Sequence, residues 1–264
     1  MSQLARYATH REVELLETLR NIGGTARTAN LAETLRVSEE TVRRTIKSLA
    51  KTGVVRRVHG GVYLVNPEAS QPVASRLSHR SCEKARIGQT AASLIQDGTC
   101  LFLDVGSTTA HVAQALRQHR NLTVVTNGLH AAQALVGING NRVFLAGGEM
   151  RNVEGGAFGP ETLEFVQRFN LDTAVLSVDG IDERGGFLLA GSEEAGLARA
   201  VASWSRRVLV VADHTKFGES APIVACQPTD IDAVITDQKV RQSFHTLLDG
   251  WDIELIMARP VVAR

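Results

Sequence analysis

Arg43, Arg44 and Lys47 fall within the stretch SEETVRRTIKSLAK (38–51). Its apolar residues, Val42, Ile46 and Leu49, recur at helical spacing. They continue a stripe begun by Ala32, Leu35 and Val37 in a shorter helix before it. Thr41, Arg43, Arg44 and Lys47 lie off that stripe and face outward together. A helix with several cations on one face has the width and charge to enter a DNA major groove. There an arginine can pair bidentately with guanine. Ser38 is a natural N-cap, and Glu39 and Glu40 sit where the helix dipole favours negative charge. Gly53 closes the helix in a left-handed cap. Val54–Arg57 and Gly61–Leu64 then read as a hairpin around His59-Gly60-Gly61. Together these elements spell a winged helix-turn-helix. Its candidate DNA contacts are Ser38, Thr41, Arg43, Arg44 and Lys47 on the helix. On the wing, Arg56, Arg57 and His59 are placed to meet phosphate, which positions a protein without reading sequence. The HGG triplet has a superficial likeness to an esterase oxyanion loop, but no G-x-S-x-G elbow accompanies it.

The second group follows an apolar run. TCLFLDV (99–105) reads as a strand covered on both faces, and Asp104-Val105-Gly106-Ser107-Thr108-Thr109 leads from it into a helix. Backbone N–H groups at such a helix start, with a glycine for close approach and hydroxyls beside them, form an anion cradle. No lysine follows, so this is not a nucleoside-triphosphate loop. The plain alternative is a tight strand–helix turn. Thr126-Asn127, Gly147-Gly148, Asp179-Gly180 and Lys216 occupy equivalent places after other strands. Singly, each passes for a turn or a cap. Their recurrence at one sheet edge fits a phosphorylated polyol or sugar. Ser107, Thr108, Thr109 and Lys216 would hold phosphate, and Asp104, Asn127, Asp179 and Glu194 would meet hydroxyls. The bland reading of Glu194 is charge complementing a helix start.

These groups need two frames. Residues 1–66 carry 11 basic against 6 acidic residues, a net of +5, and residues 67–264 carry 18 against 22, a net of −4. A basic head on a mildly acidic body suits a chain that meets nucleic acid at one end. Residues 1–65 form the head. Asn66–Ser75, with two prolines and small polar residues, reads as a linker. From 76 to 264, strands at 99–105, 122–126, 142–146, 173–178, 208–212, 233–236 and 253–256 alternate with helices. The fold class is therefore α/β, with a doubly wound, mostly parallel Rossmann-like body. A first helix at 11–21 has Val13, Leu16, Leu19 and Arg20 spaced to bury one side. Cys82, Cys100 and Cys226 are scattered, with no Cys/His ligand set, so no metal or cofactor is expected and reduced thiols in a cytoplasm fit best. No apolar run approaches the ~20 residues of a membrane span.

The motifs VSEETVRR with RRVHGG (37–61), EKARIG (83–88), DVGSTT (104–109), VVTNGL (124–129), LAGGEMR (145–151), VDGID (178–182), GSEEA (191–195) and ADHTKFG (212–218) closely resemble those of the DeoR family of bacterial transcription regulators. The resemblance spans nearly the whole chain. It implies a winged-helix DNA-binding domain and a sensor domain similar to ribose-5-phosphate isomerase that binds a phosphorylated sugar. Two positions depart from the family pattern. Thr45 replaces the usual Asp after the paired arginines, and Ser107 replaces a Thr. The expected function is a repressor of a sugar or polyol catabolic operon. It would bind double-stranded operator DNA as a homodimer or homotetramer under control of a phosphorylated sugar or polyol. The alternative is an aldose–ketose phosphate isomerase carrying a DNA-binding head. It would use Asp179, Asp182, Glu194 and Lys216 for proton transfer.

Overall fold

The computed structural model describes residues 9–22, 24–58, 60–64, 71–184 and 186–258. His59 and positions 66–70 of the expected linker lie outside the described residues. The head begins with α1 (His10–Asn21), β1 (Thr25–Arg27) and α2 (Thr28–Thr34). Then come α3 (Glu39–Lys51) and a hairpin of β2 (Val55–Val58) and β3 (Gly61–Leu64). Ser38 accepts the Thr41 N–H at 3.2 Å and so caps α3. Gly53 follows α3 with φ +75°. Leu15, Leu16, Leu19, Leu31, Val42, Ile46, Leu49, Val55 and Val62 make one apolar core. Val13 is exposed rather than buried, and Glu12 takes a buried place instead. The Ser48 side chain and the Thr9 N–H hold the Glu12 carboxyl below its ordinary range. The short β1 was not expected from sequence. It adds a third, antiparallel strand to the wing, in the order β1-β3-β2.

The body opens with α4 (Val73–Ser78) and α5 (Ser81–Ser93). Of the stretch read as a linker, residues from Val73 onward are thus helical. Val73 is buried, and its N–H donates to Val153 O at 2.8 Å. Next are β4 (Cys100–Leu103), α6 (Ser107–Ala115), β5 (Thr123–Thr126), α7 (Leu129–Leu135) and β6 (Arg142–Leu145). A small hairpin, β7 (Glu149–Arg151) and β8 (Gly156–Phe158), precedes α8 (Pro160–Val166) and β9 (Thr173–Ser177). The chain then runs through β10 (Gly180–Asp182), β11 (Gly186–Leu189), α9 (Ser192–Trp204) and β12 (Val208–Val211). It finishes with β13 (Ile223–Cys226), β14 (Ala233–Thr236), α10 (Gln242–Gly250) and β15 (Glu254–Met257). Seven of these strands form one sheet, in the order β15-β14-β12-β9-β4-β5-β6, with every pairing parallel. One apolar layer packs α5, α6 and α7 on one face. The other packs α9 and α10 on the opposite face, with Phe102, Val125 and Val234 of the sheet. That two-sided burial is why the strands read as continuous apolar runs. Strand order reverses between β4 and β9, and that switch point is where open α/β sheets bind ligands. The small sheets β7-β8 and β10-β11-β13 were not anticipated.

Among the described residues, head and body meet at the wing sheet. Val62 points into the head core, so Tyr63 points to the opposite face of the wing sheet. Tyr63 is nevertheless only 5% exposed. Thr25 and Arg56, its register partners on either side, share that face. Thr25 Oγ1 lies 3.1 Å from Ser220 Oγ of the body.

Candidate DNA-binding face and effector cavity

On α3, Arg43, Arg44 and Lys47 are exposed and Thr41 is half-buried. The Arg43 guanidinium donates to Glu39 at 2.8 Å and has Glu40 at 3.9 Å. Thr45 Oγ1 instead donates back to Thr41 O at 2.9 Å. The acidic partner that Thr45 does not supply therefore comes from one turn earlier. Ser38 and Thr41 share a hydroxyl contact of 2.9 Å at the helix start. The wing divides its cations. Arg57 pairs in register with Val62, and Arg56 with Tyr63, which places Arg56 on the body-facing side.

The body holds a cleft at the β4/β9 switch point. Gly106, Ser107 and Thr108 after β4 line it, as do Ser177, Val178 and Asp179 at the end of β9 and Lys216 after β12. Arg76 from α4, Lys84 from α5, Glu154 from the β7–β8 turn and Glu194 from the first turn of α9 complete it. Of the expected effector residues, Gly106, Ser107, Thr108, Asp179, Glu194 and Lys216 thus converge on one space.

The others stand behind it or away from it. Asp104 is buried, accepting the N–H groups of Val105 (2.8 Å) and Ser177 (3.3 Å). Burial raises its carboxyl to about 7, against those hydrogen bonds. Thr109 donates to Gly106 O at 3.0 Å. Thr126 accepts the Gly128 N–H, and Asn127 bridges Val105 N–H and Ala157 O, so both are spent on the backbone. Gly147 and Gly148 are exposed at the β6–β7 turn, where Gly147 O accepts from Thr162. Gly180 sits beside the cleft. A side chain there would meet Glu219 O at 2.2 Å, so only glycine admits that backbone.

Two cations at the cleft were not expected from sequence. Lys84 is 2% exposed, and its Nζ donates to Arg76 O and His79 O at 2.9 and 2.8 Å. A lysine at the position that Ile87 and Ala91 continue as an apolar stripe was the legible signal. Arg76 has its Nε buried without a hydrogen-bond partner. Opposite these cations, burial pushes the Glu194 carboxyl well above its usual range. Asp179, Asp104 and Glu154 add to that push, and Arg76 opposes it. Burial also presses on Asp213, beside Lys216, but the Thr215 hydroxyl, Lys216 and the Thr215 N–H outweigh it and hold that carboxyl low. His214 Nδ1 lies 3.0 Å from buried Asp237, which fixes the ring against the sheet. Such a cleft offers N–H groups, hydroxyls and cations to an anion and carboxylate acceptors to hydroxyls. Among the described residues no cluster of His, Cys, Asp and Glu could hold a metal ion.

A basic winged helix joined to a doubly wound domain with an anion-and-hydroxyl cleft defines a class of ligand-responsive DNA-binding regulators. Family models agree in both halves. Residues 11–68 match the DeoR-like helix-turn-helix domain, and residues 79–238 match the DeoR C-terminal sensor domain. The chain belongs to the DeoR family of DNA-binding transcriptional repressors. It is 36% identical over 247 residues to the glycerol-3-phosphate regulon repressor of Escherichia coli, covering 94% of this chain and 98% of that one. The transcriptional repressor AccR of Agrobacterium fabrum is 34% identical, with 90% and 92% covered. The repressor GlcR of Bacillus subtilis is 32% identical, with 95% and 96% covered. Among solved structures, a D-ribose-5-phosphate isomerase in complex with phospho-erythronic acid aligns with a TM-score of 0.37 and 16% identity, over 51% of this chain and 52% of that one. The eIF2B beta subunit of Chaetomium thermophilum aligns at 0.46 and 15% identity, over 65% and 53%. Among the described residues no helix is long and apolar enough to cross a membrane.

Proposed function

We propose that residues 1–65 read an operator and that residues 76–264 read a phosphorylated sugar or polyol which sets operator affinity. The regulated genes would then serve catabolism of that compound. The observation that carries this reading is the makeup of the cleft. Ser107 and Thr108 at the start of α6, with Lys216, Arg76 and Lys84, supply donors and charge for a phosphate. Asp179, Glu194 and Glu154 supply acceptors for hydroxyls. On the head, Arg43, Arg44 and Lys47 read bases from the major groove, with Ser38 and Thr41 at the groove edge. Arg57 and His59 meet phosphate. Two heads on one assembly, a dimer or tetramer, would read paired half-sites.

The relatives' repressor names favour a regulator over a catalyst. In this reading the carboxylates bind hydroxyls and no isomerase turnover occurs. The test is selection of duplexes from a random pool at near-physiological salt, repeated with sn-glycerol 3-phosphate and a panel of hexose and pentose phosphates. The expected result is a two-fold symmetric motif whose binding one compound changes. Salt-sensitive, sequence-independent binding would refute the operator reading. A motif indifferent to every compound would refute the effector reading.

A further inference from the structure

The contact between head and body lies at the rim of the cleft, and one stretch of chain belongs to both. Asp179 lines the cleft, and one of its carboxylate oxygens accepts the Ala190 N–H at 2.9 Å. Gly180 follows it with its Cα packed on the Glu219 backbone. Ile181 then bridges Phe217, and the Gly218 N–H donates to Ile181 O at 2.8 Å. The segment 216–220 is therefore stitched to the strand that begins one residue after Asp179. That segment starts at Lys216, in the cleft, and ends at Ser220, against the head. Ser220 meets Thr25 Oγ1 at 3.1 Å and lies under Gly24. Beside Thr25 is Tyr63, buried on the wing-sheet face opposite the one that Val62 turns to the head core. Burial raises the Tyr63 hydroxyl, the adjacent Arg56 guanidinium opposes this, and the Asp179 charge adds to it. The wing sheet thus sits against the back of the wall that the ligand would touch.

We propose that the wing face formed by Thr25, Arg56 and Tyr63 is the docking surface through which cleft occupancy reaches the DNA-binding head, with the Lys216–Ser220 segment and Asp179 as the link. This rests on the reading of the cleft as the effector site. A ligand that engages Lys216 and Asp179 competes for, or orders, the same residues that seat the wing. Docked and undocked heads then differ in effector affinity, and by reciprocity the effector shifts the docking equilibrium. Docking fixes where the recognition helix points relative to the body, so docked and undocked heads would meet paired half-sites differently and docking would alter operator affinity.

The test is a reversible lock. Thr25→Cys and Ser220→Cys are combined in a Cys82→Ser background of the full chain, which removes the exposed native thiol. Mild oxidation should join the pair. The oxidised protein should differ at least about fivefold from its reduced form in affinity for the selected duplex. It should also no longer respond to sn-glycerol 3-phosphate or to the other sugar phosphates. Reduction should restore both properties. A second variant, Ser220→Arg, should undock the wing and cut the effector-induced change in DNA affinity at least about fivefold, while the effector still raises the thermal midpoint of the body. Failure of the pair to cross-link overturns the proposal. So do equal DNA affinities and equal effector responses in the oxidised and reduced forms. If the reduced protein ignores every sugar phosphate, it is the cleft reading that fails. The comparison of oxidised with reduced DNA affinity still decides whether docking governs the head.

Discussion

Arg44 and Lys47 stand in solvent on a single helix, whereas Lys84 is buried in a cleft assembled from segments between α4 and the chain after β12. The DNA-reading face needs only one well-capped helix and a local apolar stripe to aim its cations outward. Phosphates of a duplex come to it, so exposure is the functional state. In the proposed reading the cleft must strip water from a small anion, and its groups are tied to the backbone, Lys84 by the carbonyls of Arg76 and His79 and Asp179 by the Ala190 N–H. A contact in solvent is weak and replaceable, while a buried one is strong and costly to leave unpartnered. Changes in the two regions should therefore differ in kind as well as in size.

The largest expected effect lies in the cleft. In the proposed reading Lys216→Ala removes a charge-assisted contact to phosphate, worth about 1.5–3 kcal/mol, or roughly 10- to 150-fold in effector affinity. Operator affinity without effector should hold. Calorimetric titration with the responsive sugar phosphate checks the first effect, and a DNA-binding isotherm checks the second. A loss of DNA affinity with normal effector binding would erase the distinction drawn between the regions. Arg44→Ala should do the converse. Selectivity at one base pair should fall by about 1–3 kcal/mol with no change in effector binding, read by competition among single-base operator variants. Uniform weakening would make Arg44 a phosphate contact instead.

Two smaller effects concern stability. Asp104 has an ordinary carboxyl value of 3.8 that burial raises to about 7. The protonated form is thus favoured by the fold, and its contribution is full at low pH and lost as pH rises through about 7. From pH 6 to 8 the body should lose of order 1 kcal/mol from this group. Glu194 is raised in the same direction, so its contribution has the same sign. Asp104→Asn should flatten the pH dependence of the melting temperature in part, because Glu194 remains; an unchanged slope would contradict the assignment. In the head, Ser38→Ala should cost about 1 kcal/mol through the lost cap on α3. Hydrogen exchange should show faster opening of α3 with the body unmoved. Equal loosening of both domains would mean that they unfold as one unit.

The same contrast governs what the sequence disclosed. In the head, cap, stripe and turn are local, so α2, α3 and the wing hairpin were legible with boundaries within a residue or two. Only β1 was missed, because three residues between a glycine and a helix carry no period. In the body, continuous apolar runs gave the parallel strands, and strand ends gave the cradle at Gly106–Thr108. The strands of β7-β8 and β10-β11-β13 are three or four residues long and went unread. The strand-end rule placed Thr126, Asn127 and Asp104 at the edge where the cleft lies. It could not tell that their side chains turn to backbone N–H groups and a carbonyl. Arg76 and Lys84 precede the sheet altogether, and only the lysine on an apolar stripe hinted at one of them.

The most direct measurement is a fluorescence titration of the full-length protein onto its selected operator, with and without each sugar phosphate, on wild type and Lys216→Ala in parallel. If the cleft is the effector site, one phosphorylated sugar or polyol shifts operator affinity in the wild type, by about fivefold or more. Lys216→Ala should bind the same operator equally well and show no such shift at that concentration. An equal shift in both proteins, or none in the wild type across the whole panel, would contradict it.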